Sequence, residues 1–157
     1  MTSTVAARLD ALSIRLGPGE DVCAGIRAAL VRRGARGGVV VSAVGSLAEA
    51  IYVLVELDDE GRPAYTAPRS VGGTIEVLGL HGHFGETEGG ELAFHLHGTF
   101  GLSDGSVVGG HVLGATVLIT FEATLLVGAS AEWRAVPYDG RAGSQMLVFL
   151  PPDEAVA

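Results

Sequence analysis

Phe94-His-Leu-His-Gly-Thr-Phe-Gly-Leu-Ser-Asp-Gly-Ser-Val-Val-Gly-Gly-His111 reads as a strand, a tight turn at Asp104-Gly105 and a return strand. Side chains of a strand alternate between its faces, so His95 and His97 point the same way. The place of His111 depends on the turn. A two-residue loop pairs Ser103 with Ser106, sets His111 opposite Gly98 and turns it to the other face. A three-residue loop with Gly105 in the left-handed position pairs Leu102 with Ser106 and sets His111 directly opposite His97. That second register gathers three imidazoles on one face of one hairpin. They would be close enough to share a divalent metal at about 2.0–2.1 Å per nitrogen, with a fourth position left for water or substrate.

The rest of the chain strengthens the metal reading. A single histidine is most simply a hydrogen-bonded core residue. Here all five, His81, His83, His95, His97 and His111, fall in one short region, and four of them form two His-x-His pairs. Clustering of this kind points to a divalent cation. Zinc is the default for imidazole ligands, although nickel, copper and iron also accept them.

Working outward, Thr74 to Phe84 is a long strand that puts His81 and His83 on a common face, and Gly85 to Gly90 returns the chain with too many glycines to fix a register. Ala115 to Val127 is a further apolar strand. Upstream, Leu12 to Leu16 alternates as a first strand, and Gly17-Pro-Gly-Glu-Asp21 breaks it. Apolar residues at spacings of three and four from Glu20 to Arg33 predict an amphipathic helix stopped by Gly34. Gly37 to Gly45 is an apolar strand for the sheet centre, Gly45-Ser46 permits a turn or bulge, and Glu49 to Leu57 is another strand. Asp58 to Pro68 is a polar surface loop. Ala131 to Val136 and Gln145 to Leu150 form a terminal pair around a turn at Pro137 to Gly143. The organisation is an N-terminal arm (1–11), a single domain (12–150) and a frayed tail (151–157).

Composition narrows the function classes. A 157-residue chain that is 48% hydrophobic can bury a core, and its net charge of −8 opposes nucleic acid and anionic lipid. Arg27, Arg32, Arg33 and Arg36 are the sole candidate basic patch and read as a solvated helix end. Gly61-Arg62-Pro63 matches the centre of a minor-groove AT-hook, but Asp58-Asp59-Glu60 replaces its basic flank. Cys23 is alone, which excludes an internal disulfide and fits a reducing cytoplasm. No signal peptide is evident. Val112 to Ala131 is long enough for a membrane span, yet its Val, Ile and Thr content and its glycines favour buried strands. Phosphate loops, dinucleotide fingerprints, Cys-x-x-Cys pairs and Ser nucleophile elbows are missing.

Several landmarks in order resemble a known family. They are Leu16-x-Pro18-Gly19-Glu20-Asp21, Gly38-x-x-x-Ser42-Ala43-Val44-Gly45-Ser46, Glu76-Val-Leu-Gly-Leu-His-Gly82, His95-Leu-His97, Gly109-Gly110-His111 and Arg134-x-x-x-Tyr138-Asp139. Together they are similar to the plants and prokaryotes conserved (PPC) domain, as a standalone bacterial-type member without an AT-hook. The resemblance implies an α+β fold, a mostly antiparallel mixed sheet of about seven strands with one main helix packed on it, and assembly as a homotrimer. In plant members AT-hooks bind DNA while the domain itself mediates trimer formation and partner contacts; bacterial members are often labelled DNA-binding by that analogy. The resemblance also implies that His95, His97 and His111 correspond to the family's recurrent histidine set, a metal site. His83 looks like an addition, where relatives commonly carry a small hydroxyl residue.

Two functional classes compete. One is a cytosolic homotrimeric binding or regulatory module with a histidine-held metal and a protein partner or small-molecule ligand. The other is a metal-dependent enzyme of hydrolase or lyase type, in which Glu76 or Asp104 would serve as general base. Direct DNA binding is disfavoured by the charge, and no membrane association is expected.

Overall fold

The structure, a computed structural model, describes residues 9–128 and the backbone of 133–137 and 145–149. Most of the expected N-terminal arm, the turn between the terminal strands and the tail at 151–157 lie outside the described residues. The order is β1 (Asp10–Leu16), α1 (Val22–Arg33), β2 (Gly37–Val53), β3 (Val55–Leu57), β4 (Pro63–Tyr65), β5 (Arg69–Thr87), β6 (Leu92–Leu102), β7 (Val107–Gly128), β8 (Trp133–Pro137) and β9 (Gln145–Phe149). Seven strands form one sheet, and β3 pairs with β4 apart from it. The pairing is antiparallel throughout except between β5 and β8, which run parallel, so the sheet is mixed as expected. The fold is strand-dominated, with one described helix.

Helix α1 starts two residues later than its periodicity predicts. The backbone of Gly19 and Glu20 is taken up by β7: Gly19 N–H donates to the Val117 carbonyl at 2.9 Å, and Val117 N–H donates to that of Glu20 at 2.9 Å. The helix therefore begins after Asp21, whose Oδ1 accepts from Ala24 N–H at 2.7 Å as an N-cap. Gly34, at φ 67°, closes the other end. Val22, Ile26 and Leu30, one stripe at four-residue spacing, are fully buried.

Two strands run longer than their sequence signals. Of the turn or bulge that Gly45-Ser46 permits, the structure takes the bulge: β2 continues through it as one strand, with register shifts near Val40/Ser42, Gly45/Leu47 and Leu47/Glu49. The histidine hairpin's return strand and the apolar segment after it are likewise one strand, β7. The Asp58 to Pro68 loop contains β4, which makes a short hairpin with β3.

Strands β2, β5, β6 and β7 pair in a closed cycle, each hydrogen-bonded to two others of the four. Phe84, Leu96, Phe100 and Leu125 are fully buried in the core. On β6 this fixes the alternation: Leu96, Gly98 and Phe100 are buried, whereas His95, His97 and Thr99 are exposed. No described helix is long and apolar enough to cross a membrane.

Candidate metal centre

The hairpin takes the three-residue turn. Leu102 N–H donates to Ser106 O at 2.9 Å, Gly105 N–H to Leu102 O at 2.9 Å, and Gly105 sits at φ 85°. Asp104 Oδ1 accepts from Ser106 N–H at 2.9 Å and from its hydroxyl at 2.6 Å, which holds the turn. His97 consequently lies opposite His111, on the same outer face as His95.

The three rings converge. Nε2 of His95 and Nε2 of His97 are 3.1 Å apart. Ring centroids are separated by 5.1 Å for His95 and His97, 5.1 Å for His95 and His111, and 5.6 Å for His97 and His111. One nitrogen from each of the three lies within 4.8 Å of the other two. Two nitrogens each about 2.1 Å from one cation, at angles between octahedral and tetrahedral, stand about 3.0–3.4 Å apart, so the His95–His97 spacing suits a shared ion. His111 Nδ1 is buried and has no hydrogen-bond partner among the described residues. A buried imidazole nitrogen left unpaired is costly. The three-histidine set therefore fits a borderline cation in donor type, spacing and unsatisfied capacity.

Electrostatics favour the ligand form of these rings. Burial, then the charges of His95 and His97, lower the pKa of His111 below the ordinary 6.5. Burial lowers His95 and His97 as well, reinforced by His83 for the first and by His95 and His81 for the second. Neutral imidazole, the state that coordinates, thus persists to lower pH than in a free side chain. The same shifts set the acid behaviour of the metal-free protein. Between the lowered folded-state values and 6.5 the unfolded chain binds more protons than the folded one, so stability is lost as pH falls through that window. Melting of chelator-treated protein is expected to shift downward on acidification from about pH 7 to about pH 5. A melting temperature that rises over that interval would contradict the assignment.

The two other histidines lie alongside. His81 pairs with His97 and His83 with His95 across the β5–β6 ladder, a register the glycine-rich return had hidden. The carboxylates considered as bases are remote from the trio. Asp104 is at the hairpin tip, seven residues from both His97 and His111, or roughly 20 Å along a strand. Glu76 is exposed and pairs with Gly101, four residues from His97 and about 13 Å along β6. One neighbour escaped the sequence reading: the Tyr65 ring, from β4, lies 5.5 Å from that of His111 at 40°. A lone aromatic after Pro63 in a polar loop was the available signal.

Three of the four arginines of the candidate basic patch, and Arg62, are engaged within the chain. Arg27 donates to the Leu92 carbonyl and sits 4.9 Å over the Phe94 ring. Arg36 pairs with Glu86, Arg33 with Asp10 at 3.8 Å, and Arg62 with Glu60 and, at 3.0 Å, Asp58. The Gly61-Arg62-Pro63 arm is thus neutralised by its own flank. Burial, aided by Asp21, pushes the pKa of the Cys23 thiol up to about 11, away from the nucleophilic thiolate.

Comparison with known proteins places this fold. The profile of the Plants and Prokaryotes Conserved (PCC) domain matches residues 4–129. A metal-containing protein from Archaeoglobus fulgidus superposes with a TM-score of 0.77 at 22% identity, covering 96% of this chain and 100% of its own. A Ralstonia eutropha protein whose name proposes DNA binding gives 0.71 at 21%, covering 88% and 90%. A plant- and prokaryote-conserved protein from Pyrococcus horikoshii gives 0.69 at 19%, covering 87% and 92%. Among curated proteins none matches the sequence.

Proposed function

The chain belongs to the Plants and Prokaryotes Conserved (PCC) domain family, written PPC above, and from that premise we propose that it is a metal-binding assembly module of the cytoplasm. His95, His97 and His111 hold one divalent cation, zinc by preference. The observation that carries this is the convergence of three imidazoles on one face, with Nε2 atoms of two of them 3.1 Å apart and a buried nitrogen of the third unpaired. A cation bound by three imidazoles keeps a coordination position open and can polarise a water or a carbonyl. The module reading is preferred to a hydrolase or lyase because neither Glu76 nor Asp104 reaches the trio.

The assembly is a homotrimer. Ile119, Leu78, Val44, Val41 and Leu113, between 65% and 48% exposed on β7, β5 and β2, supply apolar surface for burial between copies. A protein partner or a small ligand would then meet the histidine face. The relatives' DNA-binding names do not carry over readily to an acidic chain whose Arg33, Arg36 and Arg62 are paired with carboxylates.

The test is elemental analysis and light scattering of protein purified without a histidine tag. About one equivalent of zinc per chain and a mass of three chains are expected. Protein that comes metal-free and cannot be reloaded would remove the metal reading, and a monomeric mass the assembly reading. A salt-sensitive mobility shift on AT-rich duplex would restore direct DNA binding.

A further inference from the structure

His81 and His83 are not used by the three-histidine centre, yet they repeat on β5 the spacing that His95 and His97 have on β6. On each strand the two rings are separated by one residue and share a face. On β6 that spacing brings two Nε2 atoms to 3.1 Å. On β5 the pair lies in direct register with the first, His81 beside His97 and His83 beside His95, although the residue between them is Gly82 at φ 150° where β6 has Leu96. His81 is exposed and His83 half-buried. Across the three strands His81, His97 and His111 make one row, and His83 and His95 a second.

We propose that His81 and His83 chelate a second divalent transition cation, beside the ion held by His95, His97 and His111. The inference rests on the three-histidine reading for its first ion. Neighbouring strands are about 4.8 Å apart and the first ion is drawn towards β7 by His111, so an ion seated over β5 would stand about 5–7 Å from it. Two dications at that distance in water repel by an amount that weakens the second about 50- to 300-fold, and it also has one imidazole fewer. The inner ion is therefore retained and the outer one exchanges. Exposure of His81 puts the exchanging site on the solvent side of the face. The occupant is a cation that accepts nitrogen donors, zinc, nickel or copper, and not magnesium or calcium, which require oxygen ligands.

Calorimetric titration of metal-stripped, untagged protein with zinc chloride separates the two sites. The wild type is expected to bind in two steps of about one equivalent each, the second weaker by the factor above. His81→Ala/His83→Ala should abolish the weak step and leave the tight one within about threefold. His81→Ser, a single change at an exposed position, should abolish the weak step too and guards against misfolding of the double variant, with a thermal melt as control. A single step in the wild type, a weak step that survives in the double variant, or loss of both steps together would each overturn the second site. The underlying reading fails differently: it falls if the tight step survives His97→Ala, or if the wild type binds no zinc at all.

Discussion

Replacing His97 by alanine is expected to lower zinc affinity at least 100-fold while leaving the fold intact. His97 is one of the two rings whose Nε2 atoms stand 3.1 Å apart, it lies directly opposite His111 in the ladder, and its centroid is 5.6 Å from that of His111. Removing it leaves two imidazoles and no chelate on β6. Losing a group that merely orients a ligand typically costs 10- to 100-fold in metal affinity, so loss of a ligand sets the lower bound at the upper end of that range. The side chain is exposed and lies outside the core, so the apo-protein should melt within about 0.5 kcal/mol of wild type. The pair of readouts matters. Affinity lost with stability kept assigns a ligand, whereas stability lost in the absence of metal would make His97 a packing residue. Unchanged zinc affinity would sink the three-histidine centre.

That centre was legible in the sequence to the extent that local turn chemistry fixes it. Gly105 is the residue that can take positive φ in the loop, and its conformation decides whether His111 faces His97. The helix was legible for a similar reason, because Val22, Ile26, Leu30 and Gly34 mark its buried stripe and its end within a few turns. What escaped was set by distant partners. Gly45-Ser46 allowed a turn or a bulge, and nothing local decides between them; the bulge follows from β7 on one side and β5 on the other, which hold β2 as one strand. The register of His81 and His83 against His97 and His95 was hidden by Gly85 to Gly90, whose conformational freedom leaves the return unspecified. Tyr65 reaches His111 across 46 positions of sequence, through a hairpin read as plain loop.

Substituting Gly110 by alanine is expected to destabilise the protein by about 2–3 kcal/mol and to weaken zinc binding in the same variant. Gly110 immediately precedes the point where β7 changes partners. His111 pairs with His97 of β6 on one side and with Val53 of β2 on the other, and from Val112 onward β7 follows β2. A Cβ at position 110 would strike the Val53 carbonyl oxygen and press within 3.0 Å of Leu54 Cδ2 and 3.1 Å of Tyr52 Cδ2. The side chains can yield, but the carbonyl belongs to the ladder and moves only if β7 shifts from β2 next to His111. Gly105→Ala is the control: a methyl there meets nothing within 4 Å, so its cost is the backbone strain of positive φ alone, about 1 kcal/mol. Denaturant unfolding at constant m-value, with zinc titration of each variant, reads both effects. If Gly110→Ala unfolds at the wild-type midpoint and binds zinc as tightly, the close approach of β2 does not place His111, and the turn at Gly105 alone must carry the geometry of the site.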